Sequence, residues 1–179
     1  MKKVAQRYAL AMFDYAIEKN TVKHWQTQLQ DLVEIIVKEP TTFQFFTSVI
    51  IDKSEKKQVL SNTVKLLIDR EVLNFLFYII DKRRINILKE IVDEYQLFAN
   101  EHFNIKTGVV YSAYPLDAKQ ISDIEAALSK SKKVNIQLKN LISEHLISGV
   151  KVVIEDEVID GSVFGKMRQL KETLLKESR

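Results

Sequence analysis

Residues 149–170 read GVKVVIEDEVIDGSVFGKMRQL, and this stretch decides the fold of the second half of the chain. Every second residue from Val150 to Ile154 is apolar, a period of two that predicts a strand with one buried face. The acidic tip at residues 155–157 predicts a tight turn into a second apolar strand, which ends at the sequence Asp-Gly-Ser of residues 160–162. The stretch therefore predicts a β-hairpin followed by a helix, and nothing in it has the form of a reaction centre.

The distribution of glycine separates this half from the other. All four glycines lie beyond residue 107, whereas residues 1–107 contain only Pro40 as a helix breaker. This asymmetry predicts helices first and strands later. We therefore expect an α+β fold, with an N-terminal six-helix bundle over residues 1–105 and a small C-terminal α/β domain over residues 106–179. The second domain is expected to hold a short sheet and a terminal helix.

Apolar spacing and breakers place the six expected helices in the first half. They cover about residues 3–19, 21–38, 43–46, 53–68, 71–81 and 86–102. Asp52 followed by Glu55 has the form of a capping box for the fourth helix. Short connections predict that sequential helices are antiparallel neighbours in a compact bundle.

Two of these helices are apolar on too many faces. The first carries a stripe of Val4, Tyr8, Ala11 and Tyr15 beside a second stripe of alanines, and residues 72–81, VLNFLFYIID, are apolar almost all round. Such a helix is either central in a core or contacts its own core on one side and a partner on the other. One interpretation is that both helices are simply buried. The other is a groove of small and aromatic residues that receives an amphipathic helix from another chain.

Composition and motifs exclude several classes of function. The absence of cysteine excludes disulfides and thiolate metal sites, and no apolar run reaches the length of a membrane span. His24, His102 and His145 fall in different predicted elements, and Gly161 and Gly165 do not form a phosphate-binding loop. The basic runs at 82–84 and 130–133 lack interleaved aromatics. We therefore predict no catalytic, metal-binding or cofactor-binding residue, no small-molecule substrate and no nucleic-acid partner.

The motifs resemble those of one known family. The sequence AQRYALAMFDYA at residues 5–16 is similar to the pattern R-Y-A-x-A-L-F-x-x-A, and residues 73–95 are similar to F-L-x-x-L…R-L…Y. With V-I-D-G-S at residues 158–162, these motifs resemble the delta subunit of bacterial F-type ATP synthases, which is the oligomycin-sensitivity-conferring subunit in mitochondria. The likeness covers nearly the whole chain in order. Ser148 and Glu155 depart from it, since many members have glycine at both positions.

The resemblance implies a non-catalytic stator subunit of the proton-translocating ATP synthase. Such a subunit links the catalytic alpha/beta head to the peripheral stalk, so that rotor torque is coupled to ATP synthesis. It would lie at the cytoplasmic face of the bacterial cell membrane, peripheral through the complex only, and the lack of a transit peptide favours this bacterial setting. The alternative is a stand-alone helix-bundle adaptor that binds amphipathic partner helices.

The resemblance also implies two binding regions. The groove for the N-terminal helix of the alpha subunit would include Tyr8, Ala11, Tyr15, Phe75, Tyr78 and Lys82. The region for the C-terminus of stalk subunit b would include Gly149, Asp160, Gly161, Ser162, Gly165 and Leu170.

Overall fold

The structure is a computed structural model that describes residues 2–146, 148–163, 165 and 167. The chain divides into two compact units, residues 1–99 and 100–179. Among the described residues, no helix combines the length and the apolar character that a membrane crossing requires.

Helices build the first unit. They are α1 (Lys2–Lys19), α2 (Val22–Ile36), α3 (Pro40–Thr47), α4 (Lys53–Val64), α5 (Arg70–Asp81), a 3-10 helix (Ile85–Ile87) and α6 (Leu88–His102). Trp25 and Tyr95 are the largest side chains in its core, and both are almost fully buried. The Tyr95 hydroxyl donates to the carbonyl of Val22 at 3.1 Å, and burial raises the pKa of Tyr95. This core holds the inner faces of α1 and α5.

The second unit is a sheet with one helix. Its elements are β1 (Ile105–Ser112), α7 (Ala118–Lys132), β2 (Asn135–Ile142), β3 (Val150–Ile154) and β4 (Glu157–Asp160). The strand order is β2-β1-β3-β4. Strand β1 is parallel to β2 and antiparallel to β3, and β3 is antiparallel to β4. A full capping box between Asp117 and Gln120 begins α7, which connects the two parallel strands.

The expected fold class is wrong. The described residues contain seven α-helices, a 3-10 helix and a mixed four-stranded sheet, in place of six helices, a short sheet and a terminal helix. The seventh helix is α7, because the parallel pairing of β1 with β2 needs a crossover connection. The terminal helix was expected from Val163 onward. Residues 163, 165 and 167 are helical, and residues 168–179 lie outside the described residues.

The capping box expected at the start of α4 is also wrong. The helix begins at the predicted place, directly after Asp52, but the Asp52 side chain makes no capping hydrogen bond. The sequence pattern therefore identified the position of this helix start without identifying the interaction that forms there.

Candidate partner-binding regions

Three aromatic rings bridge α1 and α5. The ring of Tyr8 from α1 lies 6.5 Å from that of Phe75 and 6.0 Å from that of Tyr78, both from α5. Phe75 and Tyr78 are three residues apart, so they project from one face of the helix. These edge-to-face and tilted contacts fix the spacing of the two helices through their side chains.

Part of the aromatic surface on these two helices remains accessible to solvent. The side of α1 that carries Ala5, Ala9 and Met12 is buried, whereas Tyr15 is 41% exposed. On α5, Leu76 and Ile79 are fully buried and Tyr78 is 50% exposed. The interpretation in which both helices are simply buried is therefore contradicted, because each presents one face to the core and another to solvent.

Cations line one end of this surface. The Arg84 guanidinium lies 5.4 Å from the centre of the Tyr8 ring, and its Nη1 donates to the Tyr8 hydroxyl at 2.9 Å. The Lys82 ammonium lies 5.4 Å from the centre of the Tyr78 ring. With Arg7 and Ala11, these residues line a groove of about 430 Å³. A bound surface would meet aromatic area with positive charge at its margin.

Sequence reasoning missed Arg7 and Arg84 at this groove. The run Lys82-Arg83-Arg84 was visible, but its charge is explained equally well as a complement to the dipole of α5. Only the three-dimensional structure brings Arg84 back across the helix pair to Tyr8, a residue 76 positions earlier in the chain. Of the six predicted groove residues, the structure places Tyr8, Ala11, Tyr78 and Lys82 around this cavity.

The other two predicted groove residues lie beside it. Phe75 contacts Tyr8, as described. Tyr15 lies farther along α1, with its ring 5.8 Å from that of Trp25, and the Lys19 ammonium lies 5.6 Å from the centre of the Tyr15 ring. Tyr15 therefore extends the exposed aromatic surface toward α2.

Trp25 connects this end to the start of α5. Its Nε1 donates to the Asp69 carboxylate at 2.7 Å, and Gln28 donates to the same carboxylate at 3.2 Å. Burial acts to raise the pKa of Asp69, but the hydrogen bonds from Trp25 and Gln28 and the neighbouring His24 outweigh it, so this pKa lies below its usual range. The ionised carboxylate thus links α2 to the N-terminus of α5.

The second predicted region is a junction of mostly small residues, formed by Ser148, Gly149, residues 160–163 and Gly165. Gly149 has a φ of 87°, and a Cβ there would lie 2.7 Å from the Gly161 carbonyl oxygen. At Gly165 a Cβ would lie 2.6 Å from the Asp160 carboxyl carbon. The Ser162 hydroxyl accepts from the Gly165 amide at 3.0 Å. Glycine is therefore required at Gly149, whose backbone is left-handed and meets backbone, whereas a Cβ at Gly165 would force the Asp160 side chain to move.

Most polar groups of this junction are occupied by the junction itself. Ser162 is buried, and its amide donates to the Asp160 carboxylate at 3.0 Å. The amide of Gly161 donates to the Val150 carbonyl at 2.9 Å. The structure thus brings together Gly149, Asp160, Gly161, Ser162 and Gly165, while Leu170 lies outside the described residues.

Apolar side chains beside the junction are more accessible. Val158, Val163 and Met167 are each about half exposed or more, Met167 at 67%. Sequence reasoning assigned Val163 and Met167 to the apolar stripe of a helix and did not name them as contact residues. The signal that identifies them is their exposure, which the sequence does not give.

The described residues offer contact surfaces and no recognised reaction centre. Among them, no group of three or more His, Cys, Asp or Glu side chains is placed to hold a metal ion. The groove can bind apolar and anionic groups, and the junction can hold a rigid shape.

Comparisons with known proteins agree along the whole chain. The family model for the ATP synthase delta (OSCP) subunit matches residues 4–174. The chain is 38% identical over 173 residues to ATP synthase subunit delta of Alkaliphilus oremlandii (strain OhILAs), covering 97% of this chain and 96% of that one. It is 36% identical over 174 residues to ATP synthase subunit delta of Bacillus cereus (strain B4264), with the same coverage.

One solved structure supports the fold. A chain in the cryo-EM structure of the Toxoplasma gondii mitochondrial ATP synthase hexamer matches with a TM-score of 0.59 and 20% identity. The match covers 96% of this chain and 97% of that one.

Proposed function

Because the chain belongs to the ATP synthase delta (OSCP) subunit family, we propose that its groove between α1 and α5 binds the N-terminal helix of the alpha subunit. We propose equally that its second unit binds the C-terminus of stalk subunit b. Residues 1–105 would then hold the head-binding part of the chain and residues 106–179 the stalk-binding part.

The chain is a non-catalytic stator subunit of ATP synthase, which links the catalytic head to the peripheral stalk. A stator must resist the torque of the rotor and needs no reaction centre to do so. Its requirement is an attachment that dissociates slowly, and buried apolar anchors provide this better than exposed charges do.

The observation that carries the proposal for the groove is the cluster of Tyr8, Phe75 and Tyr78, in which Tyr78 is half exposed and the other two rings are partly buried. Tyr8, Ala11 and Tyr15 on α1 have the spacing i, i+3, i+7, and Phe75, Tyr78 and Lys82 on α5 have the same spacing. Each set spans two helical turns, roughly 10 Å at 1.5 Å per residue. An amphipathic helix presents its apolar residues at this spacing, so its stripe fits between the two sets.

Tyrosine suits the anchoring role at these positions. Its ring supplies apolar area while the hydroxyl keeps a polar partner, and two χ angles lose little entropy on binding. The Tyr8 ring is already held by Arg84 and two neighbouring rings. A preorganised ring of this kind reduces the cost of ordering the interface.

For the second unit, the support is the apolar surface beside the small-residue junction. Val158, Val163 and Met167 are exposed next to a close backbone approach that the lack of a side chain at Gly149 permits. A helical end of subunit b with an apolar stripe would cover these three side chains. In the assembled enzyme the chain would then lie at the cytoplasmic face of the bacterial membrane, held there by its partner subunits.

The test for the groove is a titration of the full chain with a synthetic peptide of the alpha subunit's N-terminal helix. Trp25 is the single tryptophan and its ring contacts Tyr15, so its fluorescence reports on the groove end. We expect saturable one-to-one binding, weakened by Tyr8→Ala. The matched control is Tyr114→Ala in the second unit, where the tyrosine is 76% exposed.

The outcomes of this titration distinguish binding in the groove from binding elsewhere and from no binding. Binding that Tyr8→Ala weakens and Tyr114→Ala leaves unchanged supports the groove. Absence of binding at tens of micromolar peptide, or equal binding by both variants, would exclude the groove as the attachment point.

A further inference from the structure

The charged side chains along the groove are separated by sign, with cations at one end and carboxylates at the other. On α1, Arg7 begins a stripe that continues through Ala11 to Asp14 and Glu18 at helical spacing. On α5, the stripe of Phe75 and Tyr78 begins with Glu71 and ends with Lys82. Each helix thus carries a cation at one end of its groove face and carboxylates at the other.

Because α1 and α5 run antiparallel, the basic end of one helix lies beside the basic end of the other, and the acidic ends also lie side by side. Tyr8 contacts Tyr78 near the end of α5, and Arg84 crosses to Tyr8. At the other end Tyr15 contacts Trp25, which donates to Asp69 directly before α5. One end of the groove, the basic end, therefore holds Arg7, Lys82 and Arg84. The opposite end, the acidic end, holds Asp14, Glu18 and Glu71.

The basic end has no internal carboxylate to balance it. The cavity that Arg7, Lys82 and Arg84 line contains no Asp or Glu among its lining residues. Asp81, next to Lys82 in the chain, pairs instead with Lys57 at 2.6 Å. Within the described part of the chain, no ion pair involves any of the three cations of this end. Such a cluster produces a positive potential that attracts carboxylates.

We propose that the groove fixes the direction of its bound helix by charge. Carboxylates of that helix lie against the basic end, and its lysines or arginines lie against the acidic end. This inference rests on the proposed function, in which the occupant is the N-terminal helix of the alpha subunit. The direction follows the side-chain charges of the partner, because a helix macrodipole amounts to about half a unit charge at each terminus.

The experiment compares charge-reversed forms of the full chain in calorimetric titrations with the synthetic alpha-subunit peptide. One variant is Arg7→Glu with Lys82→Glu, and another is Asp14→Lys with Glu18→Lys. We expect each to bind about tenfold more weakly at low salt, with the loss reduced at high salt. The matched control is Lys23→Glu with Lys65→Glu, two exposed lysines on α2 and after α4, which should bind within about twofold of the wild type.

A second measurement identifies which end of the peptide is bound where. A nitroxide on the more acidic end of the peptide should broaden the amide resonances of Arg7 and Arg84 more than those of Glu18 and Glu71. Replacing the peptide's acidic residues by lysine should restore binding to the Arg7→Glu, Lys82→Glu variant.

Each failure has a distinct meaning. If the peptide does not bind the wild-type chain, the proposed function of the groove is overturned, and the charge register with it. If the peptide binds and both reversals stay within about twofold of the wild type, the groove stands and only the charge register is overturned. Broadening centred on Glu18 and Glu71 would also overturn it.

Discussion

The groove and the small-residue junction were predicted from the same kind of sequence signal, yet the structure gives their residues different roles. At the groove, Tyr8 and Tyr78 keep part of each ring exposed after packing on each other. At the junction, Ser162 and Gly165 are buried, and Asp160 accepts from the backbone of its own loop. Residues of the groove are thus available for contact, whereas those of the junction mainly hold the chain in shape.

The difference teaches how to read a family motif. A conformational motif such as Asp-Gly-Ser at residues 160–162 specifies a backbone path, and the surface that this path presents belongs to neighbouring side chains. At the groove the aromatic residues of the motif are themselves the surface. Substitutions can separate these two cases, because one class should damage folding and the other should damage binding alone.

The largest expected effect is at the junction. Gly149→Ala places a Cβ in a left-handed conformation and 2.7 Å from the Gly161 carbonyl oxygen. We expect it to destabilise the second unit by about 3 kcal/mol, from the left-handed backbone and the steric overlap together. Amide hydrogen exchange of β3 measures this loss directly.

The control at the junction is Gly161→Ala. A Cβ there would meet its nearest atom, the Val150 carbonyl oxygen, at 3.1 Å, so a smaller loss is expected. If Gly149→Ala weakened stalk binding while the exchange of β3 was unchanged, Gly149 would be a contact residue and the comparison would fail.

The second effect is at the groove. Tyr78→Ala should weaken binding of the alpha-subunit peptide about 30-fold, equivalent to about 2 kcal/mol, because a partly exposed ring beside an apolar cluster has the character of an interface anchor. The free energy of unfolding should change by less than about 1 kcal/mol, since half of the ring is already in solvent. Calorimetry and urea denaturation of the same variant provide both values. Equal losses in both would assign Tyr78 to the core.

The third effect concerns the surface beside the junction. Val163→Asp with Met167→Asp should weaken binding of a peptide from the C-terminus of subunit b about tenfold, because two exposed apolar side chains become charged. Folding should be unaffected. Val49→Asp, at an exposed position of the first unit, is the control. Unchanged binding by the double variant would remove this surface from the proposed stalk site.

The smallest expected effect is a pH-dependent change in stability at Asp69, the residue that links α2 to the start of α5. Because the pKa of Asp69 is lowered in the folded chain, its contribution to stability is present above the ordinary carboxyl pKa and is lost as the pH falls. Asp69→Asn should therefore cost about 1 kcal/mol at neutral pH, through the weakened hydrogen bonds from Trp25 and Gln28.

The difference between wild type and Asp69→Asn should begin to shrink below about pH 4, where the carboxyl of the unfolded chain protonates. It should be lost as the pH falls through the lowered pKa of the folded carboxyl. Urea denaturation across this range measures it. A difference that persisted in acid would mean that packing, and not the charge of Asp69, links α2 to α5.

Sequence reasoning located the secondary structure of the chain better than its interactions. Helical periodicity placed α6, and alternation placed β3, because both patterns reflect which face is buried. The capping hydrogen bond at Asp52 did not form, since a cap depends on side-chain torsions that spacing does not determine. The fold class was wrong because the described residues hold seven α-helices and a mixed four-stranded sheet, in which α7 connects the parallel strands β1 and β2.

The residues of the groove could be predicted only in part, again because sequence patterns reflect burial and not individual contacts. Tyr8 and Tyr78 follow from apolar stripes that are too wide for one buried face. The place of Arg84 at the groove does not follow from the sequence, because its contact with Tyr8 joins residues 76 positions apart and depends on the turn after α5. The backbone of that turn includes Arg83 at a φ of 55°, a conformation that the sequence Lys-Arg-Arg does not suggest.

The central claim, that the groove between α1 and α5 is the binding surface of the first unit, is tested most directly by hydrogen–deuterium exchange of the full chain with and without the alpha-subunit peptide. We predict that the added protection is confined to α1 and α5, with the largest change around Tyr8 and Tyr78. Added protection centred on another pair of helices, or no change at saturating peptide, would contradict the account.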